Sequence, residues 1–465
     1  MYNSISNVIL DEMIKIFSGE RVITDRERLE IYSHDEVPGF EFYPEVAVFP
    51  ESSDEVSALM KLANEYLFTV TPRGAGTGLS GGALPLFGGV IVSFEKMNRI
   101  LDLDEDNLMI EVEPGVITGD LQKLVESYGL FYPPDPASLD NCSIGGNLAE
   151  CAGGPRAVKY GTTKDYVTGL EFVSPTGDIC RVGGKLVKDV TGYNLLGLLI
   201  GSEGTLGLIT KITLRLLPKP GFVSDLLVPF KDIKSAISVV PEIIKNRILP
   251  STIEFLDRES IKAYREYIGK PVQFEDAEAH LIIQLDGPDK ESIEQLYEKV
   301  WDICEGCGAY DIAVADTPQD RERLWYGRRS LLDSLKALSP VIDVEDVVVP
   351  RSRIPVFVEQ VCEIAGKFKI RIANFGHAGD GNVHVNILKA DKSDEEWESN
   401  LPVIKKLIFE FAVKLGGEIS GEHGIGYVKK DYMSLSTGKP ELELMMKVKR
   451  AFDPNNILNP GKIFE

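Results

Sequence analysis

A chain of 465 residues, 43% hydrophobic and 26% charged, has room for two or three domains with a full core. Its formal charge of −22 and pI near 4.8 exclude a nucleic-acid surface, which needs clustered Lys and Arg, and disfavour direct docking on anionic lipid. Six scattered cysteines give no disulfide framework; without a signal-peptide pattern or an apolar run of about 18 residues, the expectation is a cytoplasmic protein with no transmembrane segment.

Residues 1–45 read as helical and polar, with Pro38 and Pro44 breaking the chain before a short strand. His34 lies there, and a surface or capping role is its ordinary reading. From Glu45 to Leu217, strand-like runs (VAVF, FTVTP, VIVSF, MIEVEPG) alternate with helical ones (SSDEVSALMKLANEY, TGDLQKLVESYG), which indicates an α/β domain. Within it, PRGAGTGLSGG runs from Pro72 to Gly82. A backbone so rich in glycine takes φ > 0 turns and directs successive N–H groups at an anion, which suits a pyrophosphate-bearing cofactor. The stretch contains a literal GxGxxG, Gly76 to Gly81, but the Rossmann reading needs a helix directly afterwards. Pro85, Gly88 and Gly89 preclude that helix, and Val90 to Phe94 read as a strand. Taken alone, the loop is also compatible with a ligand-free surface turn. A second loop, Pro133 to Thr163, has little periodic structure, and a third glycine-rich segment, GSEGTLGLIT from Gly201 to Thr210, leads into the strand LITKITLRLLP.

Pro218 and Pro220 mark a boundary near residue 219. Beyond it, DLLVPF, IKSAISVVPEIIKN and STIEFLD, then AHLIIQLDG, SIEQLYEKVWDICEG and YDIAVAD, read as two tandem strand-helix-strand units of a ferredoxin-like α+β layer. Cys304 and Cys307 form a CxxC at a helix end, an incidental spacing without a second pair. A charged helix is expected over 318–336; after Trp325 it carries Arg328 and Arg329, candidates for a bidentate grip on a carboxylate. The alternative is a solvated basic face paired with Asp320 and Glu322. A strand (DVEDVVVP) and a helix (RIPVFVEQVCEIAGKF) follow.

Three of the five histidines, His377, His384 and His423, fall in the C-terminal quarter. The strand IRIANFGH, the turn AGDGN and the strand VHVNI predict a hairpin with His377 and His384 across from each other and His384 sharing a face with Asn386. His423 stands beside Glu422 in GGEISGEHGIG. Two imidazoles and a carboxylate could hold a divalent zinc, iron or manganese ion with positions left open, while buried, hydrogen-bonded histidines are the competing reading. In an extended backbone Glu422 and His423 point opposite ways, so one could ligate while the other faces a substrate. The tail from Asp431 reads as one helix and a proline-ended turn.

In chain order, PRGAGTGLSGG, PPDPAS with SIGGN, KDVTGYNL, GSEGTLGLIT, GHAGDGNVHV, SGEHGIG and FDPNNILNPGK resemble the motifs of the FAD-linked 2-hydroxy-acid dehydrogenases. That family includes the flavoprotein of glycolate oxidase, D-lactate dehydrogenase and D-2-hydroxyglutarate dehydrogenase. The resemblance runs from about residue 40 to the C-terminus and implies an α+β fold of vanillyl-alcohol-oxidase type. It implies a two-subdomain FAD-binding domain over 1–219, a ferredoxin-like antiparallel cap carrying the metal site over 220–425, and a segment, 426–465, returning to the flavin.

The same resemblance implies that Pro72, Arg73, Gly74, Ala75, Gly76, Thr77, Gly78, Leu79, Gly81 and Gly82 hold the FAD pyrophosphate. Pro136, Ser138, Cys142, Gly145, Gly146 and Asn147, followed by Gly153, Gly154 and Gly161, match the second flavin loop; Glu203, Gly207 and Ile209 match the segment along the ADP half, and Asn459 the turn near the ring. It further implies a divalent metal on His377, His384 and Glu422, with His423 as base and Arg328 and Asn386 on the substrate. No histidine lies in the flavin loops, so non-covalent FAD is expected. Where the hydroxyglutarate branch places a hydroxyl and a lysine around a distal carboxylate, this chain has Leu332 and Val344, a lining for a short uncharged R group. D-lactate is therefore the expected substrate and glycolate the next; D-2-hydroxyglutarate, and a non-redox flavin-dependent alkyl-transferring synthase of the same fold, are the alternatives. With neither a nicotinamide site nor an Fe–S cysteine run, electrons are expected to leave through a partner, an electron-transferring flavoprotein or Fe–S subunit, or to a membrane quinone.

Overall fold

Short runs of valine and isoleucine build the first sheet. In the computed structural model, which describes residues 2–464, β1 (Val22–Ile23), β2 (Val46–Val48), β3 (Val70–Arg73) and β4 (Val90–Ser93) lie in the order β1-β2-β4-β3. Both β2 and β3 run parallel to β4. The parallel pairs need a crossover, and the helix Ser53–Tyr66 supplies it. Its cap is Ser52, whose hydroxyl accepts the Glu55 N–H at 3.3 Å, and its stripe of Val56, Leu59, Met60 and Ala63 joins Val46, Val70 and Val90 in one core. Strand β1 lies inside the segment read from sequence as helical; Asn7–Phe17 is its long helix, and the β-branched pair Val22–Ile23 adds to the sheet edge by pairing with β2.

The second sheet contains β5 (Ile100–Asp104), β6 (Met109–Val112), β8 (Val167–Val173), β9 (Ile179–Gly183) and β10 (Leu208–Arg215), in the order β5-β6-β10-β8-β9, while β7 (Leu130–Phe131) pairs with β11 (Leu217–Pro218). The stretch Pro133 to Thr163 is not all loop, since it contains the helices Ile144–Glu150 and Ala157–Tyr160. Both are too short to show a 3.6-residue period, and the first turn of the former carries Gly145 and Gly146 behind the cap Ser143. In the tail, the short helix Met433–Ser436 precedes the longer Lys439–Phe452, so two helices replace the one expected. Residues 2–152, 162–219 and 423–464 make up this first compact unit.

The second unit comprises 153–161 and 220–422. Its sheet contains β12 (Phe222–Phe230), β13 (Thr252–Asp257), β14 (Ala279–Gly287), β15 (Ala313–Ala315), β16 (Ile342–Val348), β17 (Arg371–His377) and β18 (Asn382–Leu388). The pairings are antiparallel, in the order β15-β12-β14-β13-β17-β18-β16. The first four strands, connected through the helices Ile233–Lys245 and Lys290–Gly306, have the ferredoxin-like order predicted from the two tandem units. The histidine hairpin β17–β18 extends that layer from β13. The expected charged helix is two, Pro318–Arg329 and Leu331–Leu338, meeting at Ser330. Two further helices, Arg258–Ile268 and Asp394–Lys414, occupy stretches to which the sequence reading assigned no element.

Strand β16 has two chemically distinct faces because side chains alternate. Asp343 and Glu345 meet Lys405 of the helix Asp394–Lys414, at 3.2 and 2.5 Å, whereas Val344 and Asp346 belong to the opposite face. Burial, then the neighbouring Glu345, pushes the Asp343 carboxyl up from its ordinary value. Lys405→Met should therefore cost about 3–5 kcal/mol near pH 8, because it strands buried carboxylates. The folded variant would bind more protons than the unfolded chain, so the deficit should shrink as pH falls towards 5. Denaturant melts at both pH values check this, and an equal loss at each would contradict it.

Candidate functional site

The hairpin fixes the relation of the two histidines. Phe375 pairs with His384 and His377 with Asn382, so the histidines are diagonal neighbours on one face and not directly opposite as expected from sequence. The difference arises because Asn382 already belongs to β18, which leaves Ala378 to Gly381 as the turn. The rings still meet: His377 Nε2 and His384 Nε2 are 3.4 Å apart, and Glu422 Oε1 lies 3.3 Å from the first and 3.5 Å from the second. One ligand atom from each of the three lies within 4.8 Å of the others. Two imidazole nitrogens turned towards each other and one carboxylate oxygen form a donor set that fits a divalent transition metal with open positions.

Carboxylates behind this trio hold it. Asp346, fully buried on β16, accepts from Ser420 Oγ at 3.0 Å, from the backbone N–H of Gly421 at 2.8 Å and from that of Glu422 at 2.9 Å. This anchors the loop that presents Glu422. Glu254, fully buried on β13, accepts from His377 Nδ1 at 2.6 Å and from Arg328 Nε and Nη2 at 2.7 and 2.6 Å. The Arg328 guanidinium also lies over the Phe375 ring, 4.7 Å from its centroid. The two arginines thus separate: Arg328 is buried in this network, and Arg329 faces out and pairs with Glu322 at 2.7 Å. Burial opposes charge on each group, yet Glu254 and Glu422 raise His377 well above its ordinary value. His377 and Arg328 correspondingly hold Glu254 down, and His377 and His384 hold Glu422 at about 2. Asn386, on the same strand as His384, donates from Nδ2 to the Ala373 carbonyl at 3.1 Å; its Oδ1 is buried without a partner among the described residues.

The first unit gathers three glycine-rich segments. Gly76 has φ +73°, a left-handed conformation, and a side chain there would run into the Arg73 guanidinium; a Cβ on Gly74 would collide with Ser143 Oγ, beside the first turn of the helix carrying Gly145 and Gly146. Asn459 joins the first and third segments, donating from Nδ2 to the carbonyls of Gly82 at 3.0 Å and Glu203 at 2.9 Å. The Glu203 carboxylate accepts the N–H groups of Ile425 at 2.8 Å and Gly426 at 2.6 Å, just after His423. Asn459 Oδ1 and Ser80 Oγ are buried without partners among the described residues. Unpaired buried polar atoms beside side-chain-free backbone fit a polar, phosphate-bearing group such as FAD.

Other residues implied for the flavin are accounted for as follows. Pro136 and Ser138 start a turn in which the Ser138 carbonyl accepts from Asn141 and Cys142, both at 2.8 Å. Cys142 Sγ and Asn147 Nδ2 both donate to Thr118 Oγ1, at 3.3 and 2.7 Å. Ile209 pairs with Phe172 on β8, against whose ring a Cβ on Gly207 would press. Ala75, Thr77, Gly78, Leu79 and Gly81 complete the first loop, while Gly153, Gly154 and Gly161 belong to the second unit.

Sequence reading missed Glu254, Asp346 and Phe375. For Glu254 the available signal was a lone acid inside the apolar strand pattern TIEFL, where only a paired carboxylate is tolerable; Asp346 stands among the three acids of DVEDVVV, and Phe375 gave no such signal.

The glycine-rich backbone of the first unit and the His, His, Glu donor set beside a buried arginine in the second are compatible with a flavin-dependent oxidoreductase, and the family matches show that class. The family described as FAD linked oxidases, C-terminal domain, matches residues 219–463, and the FAD binding domain matches 44–183; the chain belongs to the FAD-linked oxidase family. It is 42% identical to glycolate oxidase subunit GlcD of Bacillus subtilis (strain 168) over 99% of this chain and 97% of that one. Identity is 40% to a D-lactate dehydrogenase of Anaerostipes hadrus, over 98% of both chains, and 34% to a D-2-hydroxyglutarate dehydrogenase of Stutzerimonas stutzeri (strain A1501), over 98% of both. Substrate-bound p-cresol methylhydroxylase superposes with a TM-score of 0.81 at 20% identity, covering 98% of this chain and 96% of that one. Alkyldihydroxyacetonephosphate synthase gives 0.79 at 21% identity, covering 99% and 86%. These two likenesses establish the fold alone, the expected FAD-binding architecture. Among the described residues, no helix is long and apolar enough to cross a membrane.

Gly76→Val should leave a folded protein that retains FAD at least about tenfold more weakly, since left-handed strain costs about 1–3 kcal/mol. A flavin-to-protein absorbance ratio equal to that of the wild type after gel filtration would contradict this.

Proposed function

We propose that the chain oxidises a short D-2-hydroxy acid to the 2-oxo acid, with D-lactate the preferred substrate and glycolate the next. The observation that carries this reading is the convergence of His377 Nε2, His384 Nε2 and Glu422 Oε1 in the network that also holds the Arg328 guanidinium. When bound, FAD supplies the hydride acceptor, and a divalent ion on His377, His384 and Glu422 supplies the local positive charge that lowers a hydroxyl pKa.

The chain's own residues then have separable tasks. Arg328 grips the substrate carboxylate, and the unpartnered Oδ1 of Asn386 offers an acceptor beside it. His423 takes the hydroxyl proton as C2 gives up its hydride, so the hydroxy acid loses one proton and one hydride. Support for a short R group comes from Leu332 and Val344, which pack in the apolar cluster of Phe375, with Val344 facing Asn386 across β16 and β18. A second carboxylate would have to be buried there without a cation. The two electrons taken up must then leave, and a protein acceptor, an electron-transferring flavoprotein or an Fe–S subunit, is the route this reading assigns.

Anaerobic addition of D-lactate should bleach the flavin absorbance; a chelator should abolish the bleaching and a divalent ion restore it. Comparable bleaching by D-2-hydroxyglutarate would overturn the assignment of the R group. No bleaching by any 2-hydroxy acid, with FAD and metal both bound, would favour the alkyl-transferring alternative. His423→Asn should slow flavin reduction by about 10²–10⁴-fold while D-lactate still binds. Stopped-flow reduction at saturating D-lactate checks this, and an unchanged rate would remove His423 as the base.

A further inference from the structure

We propose that Glu254 is a positioning residue that sets two properties of the site at once: the tautomer of His377 and the edge of Arg328 open to the substrate. The inference rests on the proposed function and deepens it.

Glu254 lies in the middle of β13, fully buried, and both its oxygens are used. Oε1 faces His377 Nδ1 at 2.6 Å. An ionised carboxylate only accepts, so a proton must sit on Nδ1, which leaves Nε2, facing Glu422 and His384, as the nitrogen that can present a lone pair to a metal. Oε2 takes Arg328 Nε at 2.7 Å and Nη2 at 2.6 Å, which occupies the side edge of the guanidinium. What remains is the end edge, both Nη1 hydrogens and the second on Nη2, with the Phe375 ring limiting rotation from one face. A substrate carboxylate must therefore dock end-on. Glu254 also cancels the charge of Arg328, so the arginine acts as a directional donor, and net positive charge has to come from the ion.

Glutamine at 254 keeps the shape but has one acceptor oxygen for two donors. Either His377 Nδ1 or Arg328 would face an amide N–H, and a flipped imidazole would carry its proton on Nε2. Removing Arg328 as well, in Glu254→Gln/Arg328→Gln, avoids an unpaired buried cation and keeps the test valid if the single variant folds poorly.

The measurements use the FAD-loaded protein, stripped of metal, with zinc as the probe. Calorimetric titration should show both variants binding zinc about 10–100-fold more weakly than the wild type, with FAD content unchanged. In protein labelled with ¹⁵N-histidine, the wild type should show a downfield, slowly exchanging Nδ1–H of His377 with or without zinc, and the double variant should lose it. Zinc affinity within twofold of wild type in the double variant, or a wild-type His377 without the Nδ1–H, would overturn the proposal. A wild type that binds no zinc would defeat the proposed function instead, and the Nδ1–H signal would still decide the role of Glu254.

Discussion

Two buried carboxylates in one sheet, Glu254 and Asp346, and a third on the adjoining loop, Glu422, are the constraint on which the second unit depends. A buried ionised group costs several kcal/mol unless it is paired and fully hydrogen-bonded, so each must be met by cations or by N–H groups. Glu254 meets Arg328 and His377, Glu422 meets His377 and His384, and Asp346 meets the backbone of the loop it anchors. The result is one connected chain of charge, Arg328 to Glu254 to His377 to Glu422, spread over a helix, two strands and a loop. No member can move without leaving another unpaired. Such a network is a poor source of stability but a precise way to hold donor atoms.

The first unit solves a different problem by removing side chains. Backbone at Gly74 and Gly76 lies where a Cβ would collide with Ser143 or Arg73, and Asn459 ties that segment to the one carrying Glu203 through their carbonyls. Side-chain-free backbone with a few orphaned polar atoms is chemically suited to a phosphate-bearing group. The same unit carries His423, which follows directly in sequence on Glu422, the last residue of the second unit.

Much of this was legible in the chain. Short strand-like apolar runs located most strands, and the tandem strand-helix-strand pattern gave the ferredoxin-like order of four strands. Glycine spacing marked the loop after β3 as a candidate for phosphate, and the helix that a Rossmann turn would require after it is absent, as expected, with β4 following instead. What was hidden has identifiable causes. The helix Ile144–Glu150 is two turns long and glycine-rich, so no period shows. The one-residue difference at the hairpin turn depends on whether Asn382 pairs, and composition does not decide that. Glu254 and Asp346 read as ordinary strand residues because their partners lie far away in sequence; only packing brings Glu254 to His377 and Arg328. Arg328 and Arg329 are indistinguishable by type, and helix phase alone buries one and exposes the other.

The most direct test of the central claim, that the carboxylate network aims two imidazoles and Glu422 at a single ion, is X-ray absorption at the edge of the bound metal in the FAD-loaded protein. The account predicts a first shell containing two imidazole nitrogens at about 2.0–2.1 Å plus oxygen, with the multiple-scattering signature of the rings. A shell of oxygen atoms alone, or one with a single imidazole, would contradict it.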